Sequence, residues 1–110
     1  MNTWTGIGNV GKDPELRQTA SGIAVLNFMM AVDSWRPSPQ GSVKTTHWIP
    51  VTVFGAQAET QAKRLQKGSH IAVQGELRTR SYTNAQGQKQ DRFEICTDKI
   101  QWLANIREAN

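Results

Sequence analysis

Hydrophobic and polar residues alternate along much of this chain. Ala24, Leu26, Phe28, Met30 and Val32 fall on every second position, the mark of a strand with one buried face. Ile49, Val51 and Val53 repeat the pattern. Ile71 and Val73 open a further strand that runs through to Tyr82. Phe93, Ile95, Ile100 and Leu103 mark a last one, where the alternation breaks and a bulge is expected. Trp4 and Ile7 supply a strand near the N-terminus, which brings the expected number to five.

One segment has a different period. Ala56 to Gln66 is rich in Ala, Gln, Glu and Lys, and Ala58, Ala62 and Leu65 share a helical face. Lys67-Gly68 supplies a basic last turn and a glycine stop. Three strands, one helix and two strands is the order of an OB-fold, an all-β five-stranded Greek-key barrel, here with the helix between strands 3 and 4. Arg36 to Lys44, with Pro37, Pro39 and Gly41, reads as a loop between strands, as does Thr83 to Gln90. The 110 residues carry no internal repeat or low-complexity tract, so a single domain over residues 1–110 is expected.

Strand parity also fixes what lies opposite the core. Opposite Ile49, Val51 and Val53 stand Trp48, Pro50, Thr52 and Phe54. The non-core face of the second strand runs through Val25, Asn27, Met29, Ala31 and Asp33 to Trp35. Arg78, Arg80 and Tyr82 share a parity opposite Ile71 and Val73. Bases stack on aromatic rings for ~1–3 kcal/mol each, whatever their identity. Phosphates seek Lys and Arg, and Lys89 and Arg92 beside the second loop enlarge the basic set. Such a surface suits single strands with little sequence preference, because a duplex hides its base faces. Parity alone leaves core or subunit-interface packing open for each aromatic. Trp4 and Trp102 are assigned to core or interface.

Charge and composition narrow the picture. Thirteen Lys and Arg stand against nine Asp and Glu, a net +4 that permits a polyanion partner without requiring one. The lone Cys96 excludes an internal disulfide and suits a reducing cytoplasm. No apolar stretch approaches the roughly 20 residues of a membrane span, and Met1 to Val10 has no signal-peptide pattern. A cytoplasmic protein without a membrane partner is expected. His47, His70 and Cys96 lack metal-ligand spacing, and Ser34 and Ser81 have no acid–base partner. No metal, cofactor or catalytic residue is therefore expected. Gly6 to Gly11 matches the dinucleotide pattern G-x-G-x-x-G, with Asp33 at a ribose-binding distance in sequence. The short, polar Met1 to Thr5 is no buried first strand, which rejects that reading.

Gly8-Asn9-Val10-Gly11-Lys12-Asp13-Pro14-Glu15-Leu16-Arg17 resembles the opening motif of bacterial single-stranded DNA-binding proteins. The likeness continues through Val25-Leu26-Asn27-Phe28, Asp33-Ser34-Trp35, Trp48, Val53-Phe54-Gly55, Gly75-Glu76-Leu77-Arg78-Thr79-Arg80 and Asp98 to Leu103. It implies an OB barrel that forms homotetramers and coats single strands in bacterial replication, recombination or repair, without catalysis, associating with the nucleoid when bound. By position it implies stacking roles for Trp35, Trp48 and Phe54, with Tyr82 where a tryptophan often stands. It also implies basic positions near the DNA path at Arg78 and Arg80. The sequence departs from the family at Gly6, Ile49 and Pro50, and ends at Asn110 without the family's acidic tail, so tail-mediated partners are not expected. The competing reading is a replication-restart adaptor on the same fold, acting mainly through protein contacts.

Overall fold

The computed structural model describes residues 1–105, with side chains to Leu103. The end of the chain, on which the expected absence of a tail rests, lies outside the described residues. The elements run β1 (Trp4–Val10), β2 (Glu15–Gln18), β3 (Ala24–Ser38), β4 (Gly41–Phe54), α1 (Ala56–Arg64), β5 (Ser69–Thr83) and β6 (Lys89–Asn105). The five strands expected from alternation are β1, β3, β4, β5 and β6, and the helix falls between the third and fourth of these. β2 is an addition to the five. Its four residues are all exposed, so no alternation marks it, and it simply lines β3 from Ala24 to Asn27.

The five long strands form a ring. β1 pairs with β5, β5 with β6, β6 in parallel with β4, β4 with β3, and β3 returns to β1 at Asn9–Ala31 and Val10–Met30. Inside it lie Leu26, Met30, Val51, Val53, Ile71, Val73 and Ile95, all buried. α1 adds Ala58 to this core, with Ala62 partly buried on the same face, and Leu65, just past the helix end, is buried with them. Trp4, Ile49 and Trp102 pack against it from the side. Gly55 makes the step from β4 into α1 at a φ of 75°, a value few other residues adopt.

The broken alternation in the last strand has a local cause. Gln74 pairs with Lys99 but Gly75 with Thr97, so Asp98 is an extra residue on β6. Ile95 and Thr97 face inward before it, and Ile100 and Trp102 after it. The Thr97 hydroxyl stitches the bulge, donating to Gln74 O and accepting from Lys99 N at 2.9 Å. A second irregularity falls at Leu103, which is exposed.

Two hairpins project from the ring. β3 and β4 stay paired to Ser38–Gly41, so most of the Arg36 to Lys44 stretch expected as a loop is strand, turning at Pro39-Gln40. Pro37 is tolerated because β3 beyond Ala31 has β4 alone as a described neighbour, leaving its other edge open. β5 and β6 pair out to Thr83–Lys89. Between them Asn84 Oδ1 holds the turn, accepting from the amides of Gln86 and Gln88. These arms stretch the molecule to 51 Å along its longest axis and its radius of gyration to 15.8 Å, against about 13 Å for a compact chain of this length.

Candidate nucleic-acid interface

Register defines the outer face of the β3–β4 hairpin. Trp35 stands across from Lys44, Ala31 from Trp48, Met29 from Pro50, Asn27 from Thr52 and Val25 from Phe54. Trp35 is 65% exposed, Trp48 56% and Phe54 41%. Rings of this size left in water on one face mark a contact surface rather than a core. The strip from Lys44 to Phe54 spans roughly ten residues, or ~33 Å of strand, so its rings are spaced along a path and not stacked on one another. Trp48 packs against Gly11, where a side chain would collide with its ring. The Gly11 amide donates to Met29 O at 2.8 Å, which fixes that turn against β3.

The β5–β6 arm continues the face. Arg78, Arg80 and Tyr82 on β5 stand across from Glu94, Arg92 and Gln90 on β6. Thr52 of β4 pairs with Cys96 of β6, so the outer faces of the two hairpins are continuous. Seven of the eight residues expected at a binding site thus share one face. Lys89 has the opposite parity and sits at the tip of the arm, across from Thr83, on its other side.

The basic groups are engaged within the chain. Arg78 Nε donates to Glu76 Oε1 at 2.5 Å, and Arg80 Nη2 to Glu94 Oε2 at 2.6 Å. Arg92 Nε donates to the Tyr82 hydroxyl at 3.0 Å, with its guanidinium 5.0 Å from the centre of that ring. Glu94 also accepts from Cys96 Sγ at 3.3 Å, and at 3.1 Å it shares the single proton of Thr52 Oγ1 with Asn27 Oδ1, 3.0 Å away. Burial alone would raise the Glu94 carboxyl, but hydrogen bonds from Arg80, Cys96 and Thr52 outweigh it and hold the group below its ordinary value. Burial, with the neighbouring Glu94 carboxylate, pushes the Cys96 thiol up to about 11, so it stays a neutral donor.

Between the hairpins lies a cleft of about 480 Å³. Parallel pairing of β4 with β6 begins only at Val51–Ile95, and Pro50, with no N–H to give, sits just before it. The strands separate there. Met29 and Pro50 line the cleft beside Phe93, Arg80, Arg92 and Lys12. Phe93 shares the parity of buried Ile95 yet is 45% exposed, because it stands where β6 has left β4. Alternation counts it with the core strand, and no local signal in the sequence announces the divergence. The carboxylate partners Glu76 and Glu94 were also missed, although their even spacing with Arg78 and Cys96 was a usable signal. Among the described residues no group of three His, Cys, Asp or Glu is gathered to hold a metal, and no helix is long and apolar enough to cross a membrane.

Comparison with known proteins bears on the family and the fold. A profile of the single-strand binding protein family matches residues 1–103. Single-stranded DNA-binding protein 1 of Staphylococcus aureus strain MSSA476 is 41% identical over 103 residues, 94% of this chain. The single-stranded DNA-binding protein of strain MRSA252 matches to the same extent. The chain spans 65% of the length of these relatives. The structure described as Plasmodium falciparum SSB complex with ssDNA shares the fold, with a TM-score of 0.85 at 24% identity over 94% of this chain and 95% of that one. Matched by the family profile over residues 1–103 and 41% identical to these relatives over 94% of its own length, the chain belongs to the single-strand binding protein family.

Proposed function

We propose that this chain binds single-stranded DNA with little sequence preference, as one OB-fold domain, along the outer face of the β3–β4 hairpin and the β5–β6 arm. The observation that carries the reading is the exposure of Trp35, Trp48 and Phe54 in one strip. Stacking on such rings is indifferent to base identity. The relatives' name, single-stranded DNA-binding protein, supports it. The protein works in the bacterial cytoplasm, on strands opened by replication, recombination or repair, and joins the nucleoid through them.

Two tryptophans in the strip make the test direct. Titration with unlabelled oligothymidylate is expected to quench their fluorescence saturably, because bases stack on rings now in water. The apparent affinity is expected to fall as salt rises, with a log–log slope of ~0.7 per phosphate neutralised. A folded protein whose fluorescence ignores the oligonucleotide would favour the adaptor reading.

We propose further that the chain is a homotetramer. β1 meets β3 only at Asn9 and Val10, so its edge from Trp4 to Gly8 on that side has no strand partner among the described residues. Ile7 on the same strand is 56% exposed. An open edge beside an exposed aliphatic favours pairing with a symmetry mate. Several binding faces on one particle would then hold one strand at high effective concentration. Light scattering at micromolar concentration is expected to give the mass of four chains, and the mass of one chain would defeat the proposal.

A further inference from the structure

We propose that Glu94 is an internal competitor for the phosphate that Arg80 would otherwise hold, and that it sets how tightly this face grips DNA. The inference rests on the binding reading above and goes beyond it, because it assigns a role to an acidic residue on a surface meant for a polyanion. A carboxylate there repels DNA unless something compensates. Three observations say what this one does. Its oxygens take the Arg80 guanidinium at 2.6 Å, the position a phosphate oxygen would occupy. Its side chain is only 16% exposed, against 64% for Arg80. It is held from below by the Cys96 thiol and by the Thr52 hydroxyl, whose single proton is shared with Asn27 Oδ1.

That asymmetry matters. Glu94 cannot follow Arg80 outward, whereas Arg80 is free to swing toward solvent. A phosphate arriving over Thr52 and Phe54 must therefore pull Arg80 away and leave a largely covered carboxylate short of its charged partner. Binding exchanges one ion pair for another instead of gaining a new one. Glu76 acts on Arg78 in the same sense, but more weakly, since its side chain is 44% exposed and water takes over when the pair parts. The result is a face that releases DNA readily despite its arginines, which suits a protein that must be displaced from the strands it covers.

The test uses fluorescein-labelled oligothymidylate, titrated at several salt concentrations against the full chain. Glu94→Gln keeps an acceptor for Thr52 while removing the charge that holds Arg80. It is expected to bind about tenfold tighter at low salt, with a salt slope steeper by ~0.7, one more phosphate neutralised. Asp33→Asn is the control for simple charge removal, because Asp33 lies on the same face and, among the described residues, its side chain accepts from Thr46 and forms no ion pair. It is expected to change affinity by no more than about twofold. An equal gain in both variants reduces Glu94 to general repulsion and overturns the proposal. Weaker binding by Glu94→Gln overturns it too, since the carboxylate would then be positioning Arg80 for the phosphate. Should Glu94→Gln fail to fold, the side-chain NMR signal of Arg80 in the unmodified protein decides. It is expected to move when the oligonucleotide saturates, and a stationary signal overturns the proposal. A parent chain that binds no oligonucleotide is a different outcome, visible in its own titration, and it removes the binding reading itself.

Discussion

Replacing Trp48 and Phe54 together with alanine is expected to weaken binding of single-stranded DNA by roughly 2–6 kcal/mol, at least about thirtyfold. Each ring offers one stacking face, and each loss is ~1–3 kcal/mol. Trp48 and Phe54 lie about six residues apart on β4, ~20 Å of strand, so the two losses add. Both rings are largely in water, at 56% and 41% exposure, and neither belongs to the buried cluster. Stability is therefore expected to change by no more than about 1 kcal/mol, mostly from the contact between Trp48 and Gly11. Anisotropy titration at one fixed salt concentration, with thermal melts in parallel, measures both. Trp48→Phe with Phe54 intact should keep most of the affinity, because a smaller ring still stacks. A folded double alanine variant with the parent's Kd would take both rings off the DNA path.

The same alternation that names these rings also names the core, and that is why the two were legible together. Leu26, Val51, Val53, Ile71 and Val73 are buried where period two puts them, and Trp35, Trp48 and Phe54 are exposed on the opposite parity. A strand that is half-buried along its length writes both faces into one pattern. The pattern fails where a strand leaves its neighbour. Phe93 keeps the core parity but loses its cover when β6 diverges from β4, and Thr52 keeps the outer parity but is buried under Asn27 and Glu94. β2 went unread because nothing on it is buried. The Arg36 to Lys44 segment reads as a loop, where it is mostly strand, because its prolines argue against a strand until the open edge of β3 is known. The ion pairs of Arg78 and Arg80 depend on which carboxylates the β5–β6 register brings alongside, and alternation says nothing of charge.

Gly8→Ala is expected to cost the fold about 3 kcal/mol or more. Gly8 is buried at the point where β1 hands over from β5 to β3: it pairs with Ile71, and the next residue, Asn9, pairs with both His70 and Ala31. A Cβ built there collides with the carbonyl oxygen of Ala31 and lies 3.0 Å from its carbon. These are backbone atoms, and no rotamer change relieves the clash. Moving Ala31 means moving β3, which is held by its ladder to β4 and by Leu26, Phe28 and Met30 in the core. The alternative, letting β1 drift off β3, opens the ring. Gly6→Ala makes the contrast. Its Cβ meets the Trp4 ring, a side chain only partly buried, which can swing aside for about 1 kcal/mol. For a domain near this size each kcal/mol lowers the midpoint by about 4–8 °C, so Gly8→Ala should melt at least about 12 °C below the parent and Gly6→Ala only a few degrees below. Equal midpoints for the two variants would mean that β1 and β3 close the ring with room to spare.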